Sequence, residues 1–334
     1  MDTAVIAAIV MLVSVVGLLV LGAPIATALG AGSGLAMLII LPFDTAMLTS
    51  AQKMFTGLAS FPLLAIPFFV LAGNLMNNGG VALRIIRLGE ALCGRLPGAL
   101  AQSNIVANMF FGAISGSGNA AAAAMGGTLG PVEKERGYSV EYSTAVNIAS
   151  APTGMLIPPS NALIVFTTVA TTTSVAGLFM AGYIPGILWG ISVMIVAGYM
   201  AKKRGYINPD KVSWAVKGKY FLEAIPSLFL IVIVIGGILS GIFTATEASG
   251  VAYSLILGLG YRTLKLKDLP GILLASARTT AIIVFLIAVS SIMSWVMAYT
   301  QIPAMVSNAM LALTDSKIAT LLLINLILLF VGTF

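Results

Sequence analysis

Apolar runs long enough to cross a membrane as helices fill most of this chain, and they restrict its fold more than any other feature. Hydrophobic residues make up 59% of the 334 residues and charged residues only 8%. A soluble domain carries about a quarter charged residues, so we predict an all-α polytopic membrane protein. The predicted spans are residues 4–21, 24–43, 61–77, 142–181 with a break at 158–159, 182–201, 225–242, 245–261, 279–299 and 318–334.

Two apolar regions are interrupted by small polar residues and proline. The first break is SGSGN at 115–119, and the second is IPPSN at 157–161. Non-helical backbone at membrane depth is tolerated only where protein buries it or where it lines a polar cavity. We therefore interpret the two breaks as a binding site made largely from backbone groups, which favours a transporter.

Lysine and arginine residues predict the orientation of the spans. Of the 17 basic residues, 15 fall in the four segments 84–95, 134–136, 202–219 and 262–278. Because cytoplasmic loops are enriched in positive charge, we place all four segments inside and the N-terminus in the periplasm or exterior. Short basic clusters between apolar runs also argue against a nucleic-acid-binding surface, despite the net charge of +6.

Segment 98–132 then has cytoplasmic residues at both of its ends. Its 35 residues are too few for two full crossings, which need about 40 residues and a turn. We predict a re-entrant helical hairpin with its tip at 115–119. The alternative is one long, kinked span, which would place Lys134 and Arg136 outside and weaken the charge rule.

The two halves of the chain resemble each other in opposite orientations. Residues 22–30 are similar to residues 241–249 at an offset of 219, and span 61–77 corresponds to span 279–299. The first copy begins outside and the second begins inside. The sequence therefore predicts an inverted-topology repeat, a construction typical of secondary transporters.

The repeat also predicts elements outside the spans. Segments 44–60 and 265–277 hold matching positions, are amphipathic, and are interpreted as arms that lie at the membrane surface. Residues 317–334 would form the first arm of a second hairpin, with its tip near Gly332 and Thr333. We expect about 90 further residues to be needed to complete the second copy.

These elements divide the chain into five predicted parts. Residues 1–97 hold the first scaffold spans and their arm, and residues 98–201 hold a transport unit with the first hairpin and a broken helix. Residues 202–221 form a cytoplasmic loop. Residues 222–300 hold the second scaffold spans and arm, and residues 301–334 begin the second transport half.

A hairpin tip exposes the ends of two half-helices, and those ends can bind ions. The end of the first arm presents unpaired carbonyl groups that suit a small hard cation, while the start of the second presents amides that suit a carboxylate. Gly116 and Gly118 permit unusual backbone angles. Ser115, Ser117 and Asn119 add neutral oxygen atoms.

The second break supplies further groups of the same kind. Pro158 and Pro159 cannot donate backbone hydrogen bonds, so carbonyl groups at 152–155, including that of Gly154, lose their helical partners. Ser160 and Asn161 are suited to cap the helix that restarts there. Five threonines are placed on that helix and predicted to bond back to it: Thr167, Thr168, Thr171, Thr172 and Thr173.

Few residues in the chain are suited to catalysis, metal binding or proton transfer. There is no histidine, and the single cysteine, Cys93, is interpreted as a small apolar residue on an amphipathic helix. Glu247 completes a capping box with Thr244, and the charge run 133–136 is interpreted as a solvated turn.

We see no nucleophile–base pair, so a membrane enzyme is disfavoured. Sodium coupling through neutral oxygens is favoured over a proton relay, and an ion or solute channel with re-entrant hairpins is the alternative.

Four motifs give the whole chain a resemblance to the large membrane subunit of tripartite ATP-independent periplasmic (TRAP) transporters. They are GAPIA at 22–26, GAISGSGNAAAA at 112–123, MLIPPSN at 155–161 and GIFTATEA at 241–248. The resemblance implies an elevator-type transporter in the bacterial inner membrane, with a scaffold and a mobile unit that carries two hairpins. It implies sodium-driven uptake of organic acid anions such as C4-dicarboxylates or sialic acid. It also implies two partners, a small four-helix membrane subunit and a periplasmic substrate-binding protein.

The resemblance also implies site residues. The first Na⁺ site would use Ser115, Ser117, Asn119 and Gly154, with Pro158 and Ser160 close by. A second Na⁺ site would involve Gly332 and Thr333. We assign Gly116, Gly118 and Asn161 to the substrate, since backbone amides at the two breaks suit an anionic group.

Overall fold

The computed structural model describes residues 3–78, 81–170, 172–206, 214–242, 244, 266–314 and 316–332. Fifteen α-helices and no strands lie within that part of the chain, so the all-α prediction is confirmed there. The helices are α1 (Thr3–Val20), α2 (Ile25–Ile40), α3 (Phe43–Leu58), α4 (Ala65–Asn78), α5 (Val81–Cys93), α6 (Ala99–Ser115), α7 (Gly118–Glu135), α8 (Val140–Ser150), α9 (Thr153–Leu156), α10 (Asn161–Val169), α11 (Val175–Lys203), α12 (Trp214–Leu239), α13 (Leu269–Tyr299), α14 (Ile302–Leu313) and α15 (Lys317–Val331).

Three of the described helices, α1, α11 and α13, are long and apolar enough to cross a membrane. A fourth candidate is the bent pair formed by residues 140–156 and 161–167, whose two parts meet at 45°. Many large apolar side chains on these helices are exposed, including Leu12 at 65% and Ile195 at 67%. Such surfaces suit contact with lipid, so the helices agree with the prediction of a multi-pass membrane protein.

The chain forms two compact units, one of residues 1–60 and 281–334, and the other of residues 61–280. In the first unit, α1 and α2 pack closely because Gly32 leaves room for Val15, whose Cγ2 would lie 2.6 Å from a Cβ at that glycine. The buried residues of this unit include Met11, Met37 and Ile292. The adjacent span pair predicted at 4–21 and 24–43 is therefore present as two packed helices.

In the second unit, α6 and α7 form the arms of a helical hairpin. Leu100, near the start of α6, belongs to a buried apolar cluster, and Val132, near the end of α7, packs against the same cluster. The break between the arms falls at Gly116 and Ser117, at the opposite end of both helices. Segment 98–132 therefore turns back on itself, as predicted. Its insertion into a membrane stays a prediction.

Three predicted basic loops meet at the open end of this hairpin. The amide of Gly98 donates a hydrogen bond to the carbonyl oxygen of Tyr206 (3.0 Å), and the ring of Tyr206 stacks on that of Tyr138 at 4.5 Å. Arg204 donates to the hydroxyl of Ser139 at 2.8 Å. These contacts join the loops before α6, after α7 and after α11, so Arg95, Arg136 and Arg204 belong to loops at the same end of the hairpin.

The predicted span 142–181 is wrong at its C-terminal end. Helix α10 ends at Val169, and α11 begins at Val175, so the last residues of the predicted span belong to the next helix. The hydroxyl of Ser174 caps α11 by accepting a hydrogen bond from Gly177 (3.0 Å), which fixes where that helix starts. Thr172 and Thr173 lie between the helices rather than on α10, and Thr171 lies outside the described residues. Thr167 does bond back to its own helix, at the Ile164 carbonyl (2.6 Å).

Two further boundaries differ from the predictions. Segment 265–277 is not a separate surface arm, because most of it forms the first turns of the 31-residue helix α13. Its proline, Pro270, is the second residue of that helix, where a missing amide hydrogen costs nothing. Helix α12 begins at Trp214, so residues 214–221 are helical rather than part of the predicted loop.

Some predictions fall on residues that the structure does not describe. They are the span 245–261, the capping residue Glu247 and the site residue Thr333. The inverted repeat and the elevator motion stay predictions as well. The predicted arm 44–60 corresponds to the separate helix α3.

Candidate functional site

The first break is a tight turn between α6 and α7. Gly116 adopts a left-handed conformation (φ +64°), which ends α6, and its amide donates to the Gly112 carbonyl at 2.7 Å. Residues with a Cβ resist this conformation, so glycine is required there. Ser117 then starts α7, because its hydroxyl accepts a hydrogen bond from the amide of Ala120 (3.3 Å).

The second break separates α9 from α10. The Pro158–Pro159 peptide bond is cis, and Ser160 begins α10 by accepting a hydrogen bond from the amide of Leu163 (3.4 Å). The same hydroxyl donates to the carbonyl oxygen of Met155. In a continuous helix the Gly154 carbonyl would accept a hydrogen bond from the amide of residue 158. That residue is Pro158, which has no amide hydrogen to donate. The prediction of a capped restart is therefore confirmed at Ser160. The prediction that all carbonyls at 152–155 lose their helical partners is wrong for Thr153, whose carbonyl accepts a hydrogen bond from the amide of Ile157 at 2.8 Å.

The two breaks contact each other through their backbones. The amide of Asn161 donates a hydrogen bond to the carbonyl oxygen of Gly116 at 3.2 Å. A Cβ at Gly116 would lie 3.1 Å from that amide nitrogen and 3.2 Å from the Pro159 carbonyl oxygen. The hairpin tip and the broken helix therefore form one continuous region, which their separation in the sequence does not reveal.

Glycines allow the helices around this region to pack backbone against backbone. A Cβ at Gly112 would lie 2.2 Å from the Cα of Gly154, and a Cβ at Gly154 would lie 2.4 Å from the Cα of Gly112. A Cβ at Gly118 would lie 3.0 Å from the carbonyl oxygen of Ala151. Helix α4 also approaches, since a Cβ at Gly73 would lie 3.1 Å from that of Ser115.

Most of the residues predicted for the first site lie in this region and are buried. Buried or half-buried members are Ser115, Gly116, Ser117, Gly118, Gly154, Pro158, Ser160 and Asn161. Asn119 is exposed on the first turn of α7, so the structure does not place it among the buried oxygen atoms. Gly332 follows α15 in the other compact unit, and Thr333 lies outside the described residues, so the second predicted site is not tested.

No residue in the stretches 112–119 and 154–161 carries a charged side chain. Their polar groups are hydroxyls, one amide side chain at each break, and backbone carbonyls and amides. The end of α6 offers carbonyl oxygens, while the starts of α7 and α10 offer amides and the positive ends of their helix dipoles. This arrangement can bind a small cation through neutral oxygens, and it can bind an anionic group at the two helix starts.

A buried polar network behind the tip was missed by the sequence analysis. The side-chain nitrogen of Asn108 lies within hydrogen-bond distance of the side-chain oxygens of Asn104 (3.0 Å), Asn147 (2.9 Å) and Ser150 (2.8 Å), and its two hydrogens are shared among them. Asn108 is fully buried, so these bonds replace its contacts with water. Two asparagines four residues apart in an apolar helix were the signal in the sequence, because that spacing puts both on one face.

The interpretation of residues 133–136 as a solvated turn is wrong for Glu133. This side chain is fully buried in the last turns of α7, while Lys134, Glu135 and Arg136 are exposed. The helix continues to Glu135 and carries one residue of the charge run towards α8. The run looked uniformly polar, and only the position of α8 decided which of its residues became buried.

Comparison with known proteins identifies a family match over nearly the whole chain. The family described as "Tripartite ATP-independent periplasmic transporter, DctM component" matches residues 12–334. A protein of Salmonella typhimurium named only as the uncharacterized protein YgiK is 49% identical over 319 residues, which are 95% of this chain and 73% of the relative.

Several relatives carry names that state a substrate, and two of them illustrate the range. The sialic acid TRAP transporter large permease protein SiaM of Vibrio cholerae is 40% identical over 303 residues, covering 89% of this chain and 70% of the relative. The C4-dicarboxylate TRAP transporter large permease protein DctM of Rhodobacter capsulatus is 34% identical over 338 residues, covering 96% of this chain and 76% of the relative. These matches share one class of protein, the large permease, and differ in the substrate that is named.

Proposed function

This chain belongs to the DctM component family of tripartite ATP-independent periplasmic transporters, and on that premise we propose that it is the large subunit of a sodium-coupled importer of organic acid anions. It is a transporter rather than an enzyme, because its relatives are permeases. The observation that supports the proposal is the hydrogen bond from the Asn161 amide to the Gly116 carbonyl. It joins the break between α6 and α7 to the break between α9 and α10.

Sodium coupling is supported by the kind of groups at this junction. Serine hydroxyls and backbone carbonyls are hard, neutral ligands, and they suit a monovalent cation that must bind and leave in each cycle. We assign the ion to the carbonyl end of α6 and to the oxygens of Ser115, Ser117 and Gly154, near Pro158 and Ser160. Asn119 would join these ligands only if its exposed side chain turned inward.

The substrate is proposed to be a small organic acid, of the sialic acid or C4-dicarboxylate type. Two relatives are named for these substrates, and both kinds of substrate carry carboxylate groups. The N-termini of α7 and α10 meet at the junction, and the positive ends of their helix dipoles favour an anionic group. We therefore place the anionic group near Gly116, Gly118 and Asn161.

An elevator movement is supported by the way the two breaks are joined. The contact between Gly112 and Gly154 and the bond between Asn161 and Gly116 connect the hairpin to the broken helix at two points. We propose that these elements move as one body and carry the ion and the substrate together. The movement would expose the junction to each side of the membrane in turn.

The partners are proposed from the tripartite nature of the family. A small four-helix membrane subunit would complete the permease, and a periplasmic binding protein would deliver the substrate. We therefore propose the bacterial inner membrane as the location of the chain. The basic open end of the hairpin, formed by the loops that Tyr206 and Arg204 join, would face the cytoplasm.

Uptake by proteoliposomes tests this proposal. The chain is reconstituted with its small subunit, supplied with the binding protein loaded with sialic acid or succinate, and given an inward gradient of sodium or potassium. We expect saturable uptake with sodium and the binding protein present. Equal uptake in potassium alone would reject sodium coupling, and conduction without saturation would indicate a channel.

A pair of serine variants tests the site. Ser117→Ala removes an N-cap hydroxyl at the junction and should raise the sodium concentration needed for half-maximal uptake. Ser174→Ala removes an N-cap hydroxyl of the same type from α11, outside the junction, and should leave that concentration unchanged. An equal response of the two variants would show that Ser117 acts only as a helix cap.

A further inference from the structure

A cavity with several polar side chains in its wall lies within the unit of residues 61–280, away from the hairpin tip. Its volume is about 550 Å³, and none of its lining residues belongs to either break. The cavity lies between α6, α7 and α8, near the open end of the hairpin. Its polar lining side chains are Asn104, Glu133, Lys134, Ser143, Thr144 and Asn147.

Glu133 is the charged group buried in the wall of this cavity. Its side chain is fully buried, and neither of its carboxylate oxygens accepts a hydrogen bond from the residues that the structure describes. Within the same part of the chain, Glu133 forms no ion pair. A buried carboxylate without a partner is costly, so the group is stabilised either by taking up a proton or by a positive charge placed beside it.

The neutral groups beside Glu133 can solvate a charge but cannot balance it. The hydroxyl of Ser143 and the side-chain nitrogen of Asn104 lie beside the carboxylate, and both side chains are buried. Donation from these two groups to the carboxylate would satisfy hydrogen bonds and still leave one negative charge. A single positive charge inside the cavity would balance it.

We propose that this cavity binds a monovalent metal cation, with the Glu133 carboxylate as its charged ligand and oxygen atoms of Ser143 and Asn147 among its neutral ligands. One carboxylate with neutral oxygens suits an ion of single charge, whereas divalent sites use more carboxylates. The site is separate from the ion site proposed at the tip. Asn147 connects the cavity to the buried polar network of Asn108, because it lines the cavity and also accepts a bond from Asn108.

Lys134 is the other charged residue in the lining, and it lies at the rim. Its side chain is exposed, so the ammonium group extends into solvent on a flexible stem. It forms no ion pair with Glu133 in the described part of the chain. Lys134→Gln should therefore tighten cation binding about twofold to tenfold, because it removes a positive charge close to the entrance.

Equilibrium binding of radioactive sodium to the purified chain with its small subunit tests the proposal. The measurement is made without substrate, in choline chloride at constant ionic strength. We expect Glu133→Gln to bind one sodium ion per chain fewer than the wild type. Glu135→Gln is the matched control, since it removes the same charge from an exposed position on the same helix.

Unchanged sodium stoichiometry and affinity in Glu133→Gln would overturn the proposal, as would an equal loss in Glu135→Gln. Displacement of the ion by calcium at lower concentration than by unlabelled sodium would also overturn it. If Glu133→Gln does not fold, Glu133→Asp is measured instead. It keeps the charge but shortens the side chain, and it should weaken sodium binding several-fold; unchanged affinity would contradict the proposal.

The result is independent of the function proposed for the tip. Ser117→Ala should alter sodium-dependent uptake and leave the ion at Glu133 in place. In a Ser117→Ala background, Glu133→Gln should still remove one ion per chain. If uptake proves independent of sodium while this ion is still lost, the coupling proposal fails and the cavity site stands.

Discussion

The backbones of Gly112 and Gly154 pack against each other so closely that neither position has room for a side chain. A Cβ at Gly112 would lie 2.2 Å from the Cα of Gly154, and contacts of this length do not occur between real atoms. Because the obstacle is backbone, it cannot move aside as a flexible side chain would. The contact holds the hairpin arm α6 against α9, close to both breaks.

We expect Gly112→Ala to separate these helices. Overpacking of this kind lowers the free energy of unfolding by about 1–3 kcal/mol, and here the strain falls on the transport site. Sodium-dependent uptake should drop strongly, and the midpoint of thermal unfolding should fall. Gly127→Ala is the control, because no atom lies within 4 Å of a Cβ there; it should match or exceed the wild-type midpoint.

We expect Gly116→Ala to impair the junction in two ways. The left-handed conformation costs an alanine about 1 kcal/mol, and the added methyl group approaches the Asn161 amide. Gly137→Ala is the comparison, because Gly137 also has a positive φ (+82°) but an added Cβ there would contact no neighbouring residue. The comparison of sodium affinity of uptake between the two variants therefore separates an effect at the junction from the effect of a strained glycine elsewhere in the unit. Equal effects would show that the position of Gly116 at the junction has no special role.

We expect Asn108→Leu to destabilise the second unit. The change removes the shared donor of Asn104, Asn147 and Ser150 and leaves buried polar groups without a partner. The cost should be about 1–3 kcal/mol in the free energy of unfolding. Asn78→Leu removes an exposed bond to its own helix, and its unfolding midpoint should hardly change. A wild-type midpoint in Asn108→Leu would show that the network does not stabilise the unit.

We expect Cys93 to resist alkylation in the folded protein. Burial raises the pKa of its thiol from 9.0 to about 11, with Lys217 partly opposing the shift. At neutral to mildly alkaline pH the thiolate fraction is therefore about a hundredfold smaller than for an ordinary thiol.

Maleimide labelling followed by mass spectrometry checks this expectation. The rate should rise as the pH approaches 11, or when the chain is unfolded. Leu92→Cys in a Cys93→Ala background is the comparison, since Leu92 is 58% exposed and a thiol there should react quickly. Equal rates at the two positions would contradict the burial of Cys93.

We expect the two ends of the hairpin to be accessible from the same side of the membrane. Leu96→Cys and Lys134→Cys, each in a Cys93→Ala background, place one thiol before α6 and one at the end of α7. An impermeant maleimide should label both from the cytoplasmic side of oriented vesicles. Labelling of the two positions from opposite sides would replace the re-entrant hairpin with a kinked span.

The sequence by itself determined that the described chain is helical and where its two polar breaks fall. Long apolar runs require helices in a membrane, and glycine, proline and serine act locally, by permitting left-handed angles, removing donors and capping. For this reason the turn at Gly116, the restart at Ser160 and the two arms between 98 and 132 could be predicted without coordinates.

Only the tertiary structure decided which of these local features meet. The pairing of Gly116 with Asn161 and of Gly112 with Gly154 depends on how α6, α9 and α10 pack, and no local pattern encodes that packing. The same reason explains the error at Glu133, whose burial depends on α8. Local backbone chemistry can be read from neighbouring residues, whereas burial and contact are decided by residues distant in the chain.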